Sequence, residues 1–121
     1  MAKPYVCGGY TANELYDLFN SRYFRNKLPK IPVKWSDPSG RRYTGESRGI
    51  MGATWFNGDG RPRMISLNPK YKSSGTVWVT TLLHEMVHVE QYNLPAKQAH
   101  GRKFQKRMKR LANAGAFNHL W

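Results

Sequence analysis

The apolar positions near the start of the chain repeat at intervals of three and four residues, which is the period of a helix with one buried face. A capping box precedes this repeat, because Thr11 can accept an orphan N–H while Glu14 reaches back to the threonine backbone. We therefore predict a first helix that opens at this box and ends before Pro29. Its apolar side chains are Leu15, Leu18, Phe19 and Tyr23.

The following segments are short, rich in β-branched and aromatic residues, and separated by turn signals, which indicates strands. Residues 31–35 form the first strand. Pro32 cannot donate a ladder hydrogen bond, so it must lie at the start of this strand or the strand must lie at the edge of the sheet. Residues 51–56 and 64–67 form two more. They are joined by Asn-Gly-Asp-Gly at 57–60, a strong hairpin signal. We predict a small antiparallel sheet of about three strands.

The second half of the chain has the period of helices. Residues 76–81 are β-branched and favour a strand by propensity alone. We nevertheless predict a helix there, because the apolar residues that follow surround it and burial overrides weak propensity. Pro95 limits this helix, and a last helix carries Phe104, Met108 and Leu111 as an apolar stripe. The order helix, sheet and two helices predicts the α+β class.

Composition limits the chain to one domain. Its 121 residues can bury one core but not two, and 40% apolar with 13% aromatic residues indicates a globular protein. We predict a single domain over residues 1–121 with its core at about 10–115. The single cysteine excludes an internal disulfide, and no apolar run reaches membrane-spanning length. Because the N-terminal residues lack a signal peptide's apolar core, we expect a cytoplasmic protein.

The predicted second helix contains His84-Glu85-x-x-His88. Residues four apart lie one turn above the other, so the two imidazoles can hold one zinc ion. Glu85 lies beside them, where its carboxylate can take a proton from an attacking water. This pattern is typical of zinc-dependent peptidases. The alternative is a pair of core histidines that are hydrogen-bonded to backbone or water. Polar side chains in such apolar surroundings need partners, because a buried polar group without a hydrogen bond is energetically costly.

A catalytic zinc needs a third protein ligand. A metzincin would have Gly at position 91 and His at position 94, but these positions hold Gln91 and Leu94. We predict His100 as the third ligand, because the intervening loop can span roughly 20 Å. The alternatives are His119, in the C-terminal tail, and Glu90, on another face of the same helix.

The charge is strongly positive, with 20 Lys and Arg against 7 Asp and Glu, for a net charge of +13. No acidic residue follows Glu90, and a second basic group is interleaved with aromatic residues in the middle of the chain. Such sets suit nucleic acid, because charges bind phosphates and rings stack on unpaired bases. The predicted contacts are Arg41, Arg42, Trp55, Arg61, Arg63, Arg102, Lys103, Lys106, Arg107 and Arg110. The alternative is a solvated cationic surface, or one that attracts another polyanion such as anionic lipid or cell wall.

Taken together, these segments resemble the SprT-like metalloprotease domain of the SprT/Spartan family. The likeness covers roughly residues 10–115 and is carried by Val33-Lys-Trp-Ser36, Ile65-Ser-Leu-Asn68, Leu82-Leu-His-Glu-Met-Val-His88 and His100-Gly101-x-x-Phe104-x-x-x-Met108. The resemblance implies three histidine zinc ligands, which match His84, His88 and His100, and a catalytic glutamate, which matches Glu85. It also implies cleavage of proteins bound or crosslinked to DNA. We expect DNA to stimulate this cleavage, with single-stranded DNA or a single-strand/duplex junction as the partner.

The chain differs from longer relatives, because it has neither a C-terminal zinc ribbon nor a tail for clamp or ubiquitin binding. We expect a minimal, monomeric member from a bacterial or phage-infected cell, associated with the nucleoid, whose DNA contacts come from the domain itself. Two alternatives stay open. One is a zinc peptidase with another target, such as a phage processing or lytic enzyme. The other is a DNA-binding module with an inert zinc site.

Overall fold

Three helices and five short strands make up the described part of the chain. The computed structural model describes residues 6–7, 9–36, 51–94 and 98–117. In chain order the elements are β1 (Val6–Cys7), β2 (Tyr10–Thr11), α1 (Ala12–Tyr23), β3 (Val33–Trp35), β4 (Gly52–Phe56), β5 (Pro62–Leu67), a 3-10 turn (Pro69–Tyr71), α2 (Gly75–Glu90) and α3 (Arg102–Asn113). The predicted α+β class is confirmed.

The main sheet has three strands in the order β3-β5-β4. The turn at 57–60 joins β4 and β5 as an antiparallel hairpin, as predicted, with the Gly60 N–H donating to the Asn57 carbonyl at 2.9 Å. β3 pairs with β5 in parallel, so the prediction of an antiparallel sheet was wrong for this strand. The reason is topological: β3 lies beside the second strand of the hairpin, whose direction is reversed relative to the first. Because Pro32 directly precedes this edge strand, its predicted place at a strand start is confirmed.

The N-terminal helix α1 is capped at its start and is hydrogen-bonded to strand β3. The capping box is formed as predicted, with the Glu14 N–H donating to Thr11 Oγ1 and the Thr11 N–H donating to Glu14 Oε1. α1 ends well before Pro29, at Tyr23, because Arg25 and Asn26 adopt left-handed backbone conformations that stop a helix. From α1, the Asn13 side chain bonds both the N–H and the carbonyl of Val33, which ties the helix to β3.

The second helix is the centre of the core. α2 packs against α1 and α3 and against the sheet, and the predicted helix over residues 76–81 is confirmed. The Thr81 hydroxyl donates to the Val77 carbonyl at 2.7 Å, so this β-branched residue satisfies its polar group within the helix. Gly52 lets β4 approach closely, because a Cβ there would lie 2.7 Å from Thr81 Cγ2. The part of α2 that contains Thr81 is thereby packed directly against the hairpin.

The last helix, α3, packs against α2 through the predicted apolar stripe. Phe104 and Leu111 are buried, and Met108 packs against them half-buried. The opposite face of α3 is polar and basic. Within the described residues, no helix combines the length and the apolar character needed to cross a membrane.

Candidate metal centre and active site

Three imidazoles converge at one point between α2 and α3. His84 and His88 lie one turn apart on α2, and His100 lies in the turn before α3. The Nε2 atom of His88 is 3.1 Å from the Nε2 atoms of both other rings. The ligand atoms of the three residues all lie within 4.8 Å of one another. These three side chains could therefore hold one metal ion.

The distances and protonation of the histidines fit a tetrahedral metal. Nitrogen ligands about 2.0–2.1 Å from a tetrahedral zinc lie roughly 3.3 Å apart, close to the two separations of 3.1 Å from His88. Burial, together with the neighbouring His84 and His100, lowers the pKa of His88 to about 4. The pKa of His84 is lowered by burial and by His100. Both rings are therefore neutral at physiological pH, the form that binds metals.

The ring of Phe104 packs against the rings of all three histidines. Its ring centroid lies 4.7 Å from those of His84 and His88, stacking on the latter at 17°, and 5.2 Å from that of His100. Because Phe104 is buried on the first turn of α3, it is a fixed surface against which the imidazoles rest. The apolar stripe predicted its burial from the sequence but not this contact with the rings.

The carboxylate of Glu85 faces the sheet and is held there by Thr54. The Thr54 hydroxyl on β4 donates to Glu85 Oε1 at 2.7 Å. The other oxygen, Oε2, lies 3.9 Å from the Nε2 atom of His84. Burial raises the pKa of Glu85 to about 7, while the Thr54 hydrogen bond opposes that rise. The site thus places a carboxylate suited to proton transfer near neutral pH next to the histidines.

No sequence pattern had selected Thr54 as a functional residue. It lies 31 residues before Glu85, and only the packing of β4 on α2 brings the two together. The alternation of side chains along β4 could have placed it on the helix-facing side with Gly52, but not opposite Glu85.

Two hollows border Glu85, and it is the one residue that lines both. The first, the apolar hollow, has a volume of about 420 Å³ and reaches His88, His100 and the end of α2. The second, the threonine hollow, has a volume of about 470 Å³, reaches His84 and is lined by Thr76, Thr80 and Thr81. Each of the three histidines therefore lines one of the two hollows that border Glu85.

The alternative ligands named from the sequence are placed differently. Glu90 binds Arg107 through an ion pair of 2.8 Å. His119 lies outside the described residues. Among the described residues, the group of three or more potential metal ligands that lie close together consists of His84, His88 and His100.

The structure distributes the basic candidates over separate places. Arg41 and Arg42 lie outside the described residues. The hairpin and its second strand carry Arg61 and Arg63, both exposed. Trp55 is half-buried and donates its indole N–H to Ser66 Oγ at 2.6 Å. The exposed basic side chains of α3 are Arg102, Lys103, Lys106, Lys109 and Arg110.

Arg107 is committed to the fold, unlike its neighbours on α3. Its Nε atom binds Glu90 at 2.8 Å, and its Nη2 atom donates to the Tyr23 carbonyl at 2.6 Å. Its guanidinium lies 4.7 Å from the ring centroid of Phe24. With its side chain 16% exposed, Arg107 is a poor match for the surface DNA contact predicted from the sequence. The sequence shows only that Arg107 is one of several basic residues on the predicted last helix, so it does not distinguish a buried arginine from an exposed one.

Three convergent histidines beside a buried glutamate are the arrangement of a metallopeptidase-like domain. The sequence profile of the SprT-like family matches residues 12–119, which is most of the chain, and the protein belongs to that family. No curated protein and no solved structure shows a significant match to the chain.

Proposed function

We propose that the protein is a zinc-dependent endopeptidase that cuts proteins bound or crosslinked to DNA, and that DNA stimulates this cleavage. The observation that carries the proposal is the placement of Glu85, braced by Thr54, beside three histidine nitrogens that converge at one point. Family membership agrees with the metallopeptidase part of the proposal. The DNA part rests on charge and on the exposed basic side chains.

Zinc is the metal that this donor set fits best. His84, His88 and His100 provide three nitrogen ligands, and a catalytic zinc site typically has three protein ligands with the fourth position open. When bound there, zinc supplies a Lewis acid that polarises a peptide carbonyl and lowers the pKa of water.

Glu85 acts as the general base and then as the general acid. Its Oε1 atom is held by the Thr54 hydroxyl, so Oε2 is the atom directed towards the histidines. Oε2 accepts a proton from the attacking water and later gives it to the leaving amine. Because burial raises the pKa of Glu85 to about 7, both transfers take place near the working pH.

The two hollows support internal cleavage rather than removal of terminal residues. The apolar hollow and the threonine hollow both border Glu85 and share no other lining residue, so two separate surfaces next to this carboxylate are open to substrate residues. An exopeptidase would need one side closed by a group that binds a chain terminus.

The proposed DNA contacts are the exposed basic side chains of α3. Arg110 shares a polar hollow of about 490 Å³ with Arg25 and Lys27, two exposed residues that the sequence had not singled out. This joins the basic face of α3 to the turn after α1 and extends the surface available to phosphates. We propose single-stranded DNA or a single-strand/duplex junction as the ligand of the monomer, in the cytoplasm.

The test is cleavage of a DNA-binding protein by zinc-loaded enzyme, with and without single-stranded DNA. We expect cleavage that needs DNA, weakens as salt rises and is abolished in Glu85→Gln. Equal cleavage without DNA would instead indicate a peptidase with another target. DNA binding without any cleavage would indicate a module with an inert metal site.

A further inference from the structure

We propose that the apolar hollow is a substrate subsite that selects a bulky apolar side chain directly next to the cleaved bond. The inference rests on the proposed peptidase function and adds a side-chain preference to it. Its starting point is an uneven distribution of exposed apolar residues. In the described part of the chain the exposed large apolar residues are Tyr10, Met51, Phe56 and Tyr92.

Three of these four residues line the hollows that flank Glu85. Phe56 and Tyr92, each 45% exposed, line the apolar hollow, and Met51, 46% exposed, lines the threonine hollow. Exposed large apolar side chains gathered in one place mark a binding surface, whereas scattered ones need no explanation. The gathering here surrounds the reactive carboxylate.

The position of the apolar hollow determines which substrate residue enters it. Glu85, His88 and His100 form one of its walls, and Thr54 adds the hydroxyl that holds Glu85. A side chain in this hollow therefore belongs to a residue that adjoins the bond under attack. A residue several positions away would have to bend back over the histidines to reach the same wall.

The chemistry of the hollow favours an apolar occupant. Leu94 and Ala99 complete the wall formed by Phe56 and Tyr92. Glu85 is the only carboxylate among the described residues that line it, and its two oxygens are directed to Thr54 and to the metal-binding site. A lysine or arginine side chain would therefore enter without a counter-charge of its own, in a protein with a net charge of +13.

The size of the hollow fits a large side chain. Its volume of about 420 Å³ falls within the range of ligand pockets, about 300–1,000 Å³. The threonine hollow has a similar volume, and three of its eight lining residues, Thr76, Thr80 and Thr81, carry hydroxyl groups. The exposed aromatic side chains of Phe56 and Tyr92 line the apolar hollow and not the threonine hollow, so we expect the preference at the substrate position that the apolar hollow receives.

The experiment is digestion of an unfolded protein mixture by zinc-loaded enzyme, with every cleaved bond mapped by mass spectrometry. We expect Leu, Phe, Met, Tyr or Ile to be enriched at one fixed position adjoining the cut, with kcat/KM at least about tenfold higher than for Lys at that position. Cleavage with a flat profile at every position would overturn the subsite and leave the proposed function standing. No cleavage of any substrate would overturn both.

Two variants and a control connect the preference to the hollow. Leu94→Glu adds a carboxylate to the wall and should move the preference towards Lys and Arg at the same position. Phe56→Ser removes an apolar wall without adding charge and should reduce the enrichment. Tyr10→Ser replaces an aromatic residue of similar exposure, 41%, outside both hollows and should keep the wild-type profile. An unchanged profile in both hollow variants would contradict the assignment.

Binding gives a second readout that does not depend on turnover. Zinc-loaded Glu85→Gln protein should bind a labelled peptide with a central Phe more tightly than the same peptide with Lys, measured by fluorescence anisotropy. Adding Leu94→Glu should reverse that order. Equal affinity for the two peptides would count against the subsite.

Discussion

The two sides of the candidate metal centre, the histidine side and the Glu85 side, are built in different ways. On one side, His84, His88, His100 and Phe104 come from one continuous stretch of α2, a turn and α3, and their rings contact one another. On the other side, Glu85 depends on Thr54, which reaches it from a distant strand. The ligand side is therefore set by local spacing, whereas the base side is set by the packing of the hairpin on α2. Substitutions on the histidine side should therefore change zinc binding, whereas substitutions on the Glu85 side should change activity and leave zinc binding intact.

The largest expected effect separates metal binding from proton transfer. Glu85→Gln keeps the shape of the side chain but removes the base, so kcat should fall at least a hundredfold, as for other lost general bases. Zinc content should remain at the wild-type level, because the three histidines are untouched. Activity assays beside elemental analysis measure both quantities. Loss of zinc together with activity would show that the two sides are not separable.

The next effect tests Phe104 as the support of the imidazoles. Phe104→Ala should lower stability by about 3 kcal/mol through the cavity it leaves, and should weaken zinc binding about 10- to 100-fold. Leu111→Ala is the matched control, because Leu111 is equally buried on α3 but is not part of the histidine cluster. Denaturant unfolding and competition with a chelator measure the two effects. Equal zinc affinities in the two variants would mean that Phe104 contributes only to the core.

A smaller effect concerns the metal-free protein and pH. Burial raises the pKa of Glu85 to about 7 from an ordinary value of 4.5, so the folded state binds this proton more tightly than the unfolded chain. The stability from this group is complete below about pH 4.5 and is lost as the pH rises through about 7. In excess chelator, Glu85→Gln should therefore be more stable than wild type by about 3 kcal/mol at about pH 8 and not at about pH 4. A pH-independent difference in denaturant unfolding would contradict this origin.

The smallest expected effect concerns the hydrogen bond from Thr54. Thr54→Val removes the hydroxyl at nearly constant volume and should lower kcat about tenfold, the worth of one hydrogen bond to a charged group. KM and zinc content should hardly change, because Thr54 positions the base and binds no metal. Thr54→Ser restores the donor and should recover most of the activity. A serine variant as slow as the valine variant would point to packing rather than to the hydrogen bond.

The local features were predictable because short-range chemistry determines them. The capping box, the turn at 57–60 and the apolar stripe of α3 each depend on residues close in sequence. The helix over 76–81 was predictable against its β propensity, because burial outweighs it. The spacing of His84 and His88 likewise placed both rings on one face of α2.

The long-range features were not predictable in the same way. The parallel pairing of β3 with β5 depends on which edge of the hairpin receives the strand, and no local signal states it. Arg107 looked like its exposed neighbours, but Glu90, Tyr23 and Phe24 enclose it only once α1, α2 and α3 are packed. The contact between Thr54 and Glu85 has the same origin.

The most direct test of the account is the coordination of zinc in the purified protein. Zinc K-edge X-ray absorption, together with metal analysis, gives the number of imidazole ligands for each bound ion. The account predicts one zinc per chain with three imidazoles and one lighter ligand, and loss of that ion in His100→Ala. A shell of four imidazoles, with His119 as the fourth, would describe a closed structural site and would contradict the proposed catalytic centre.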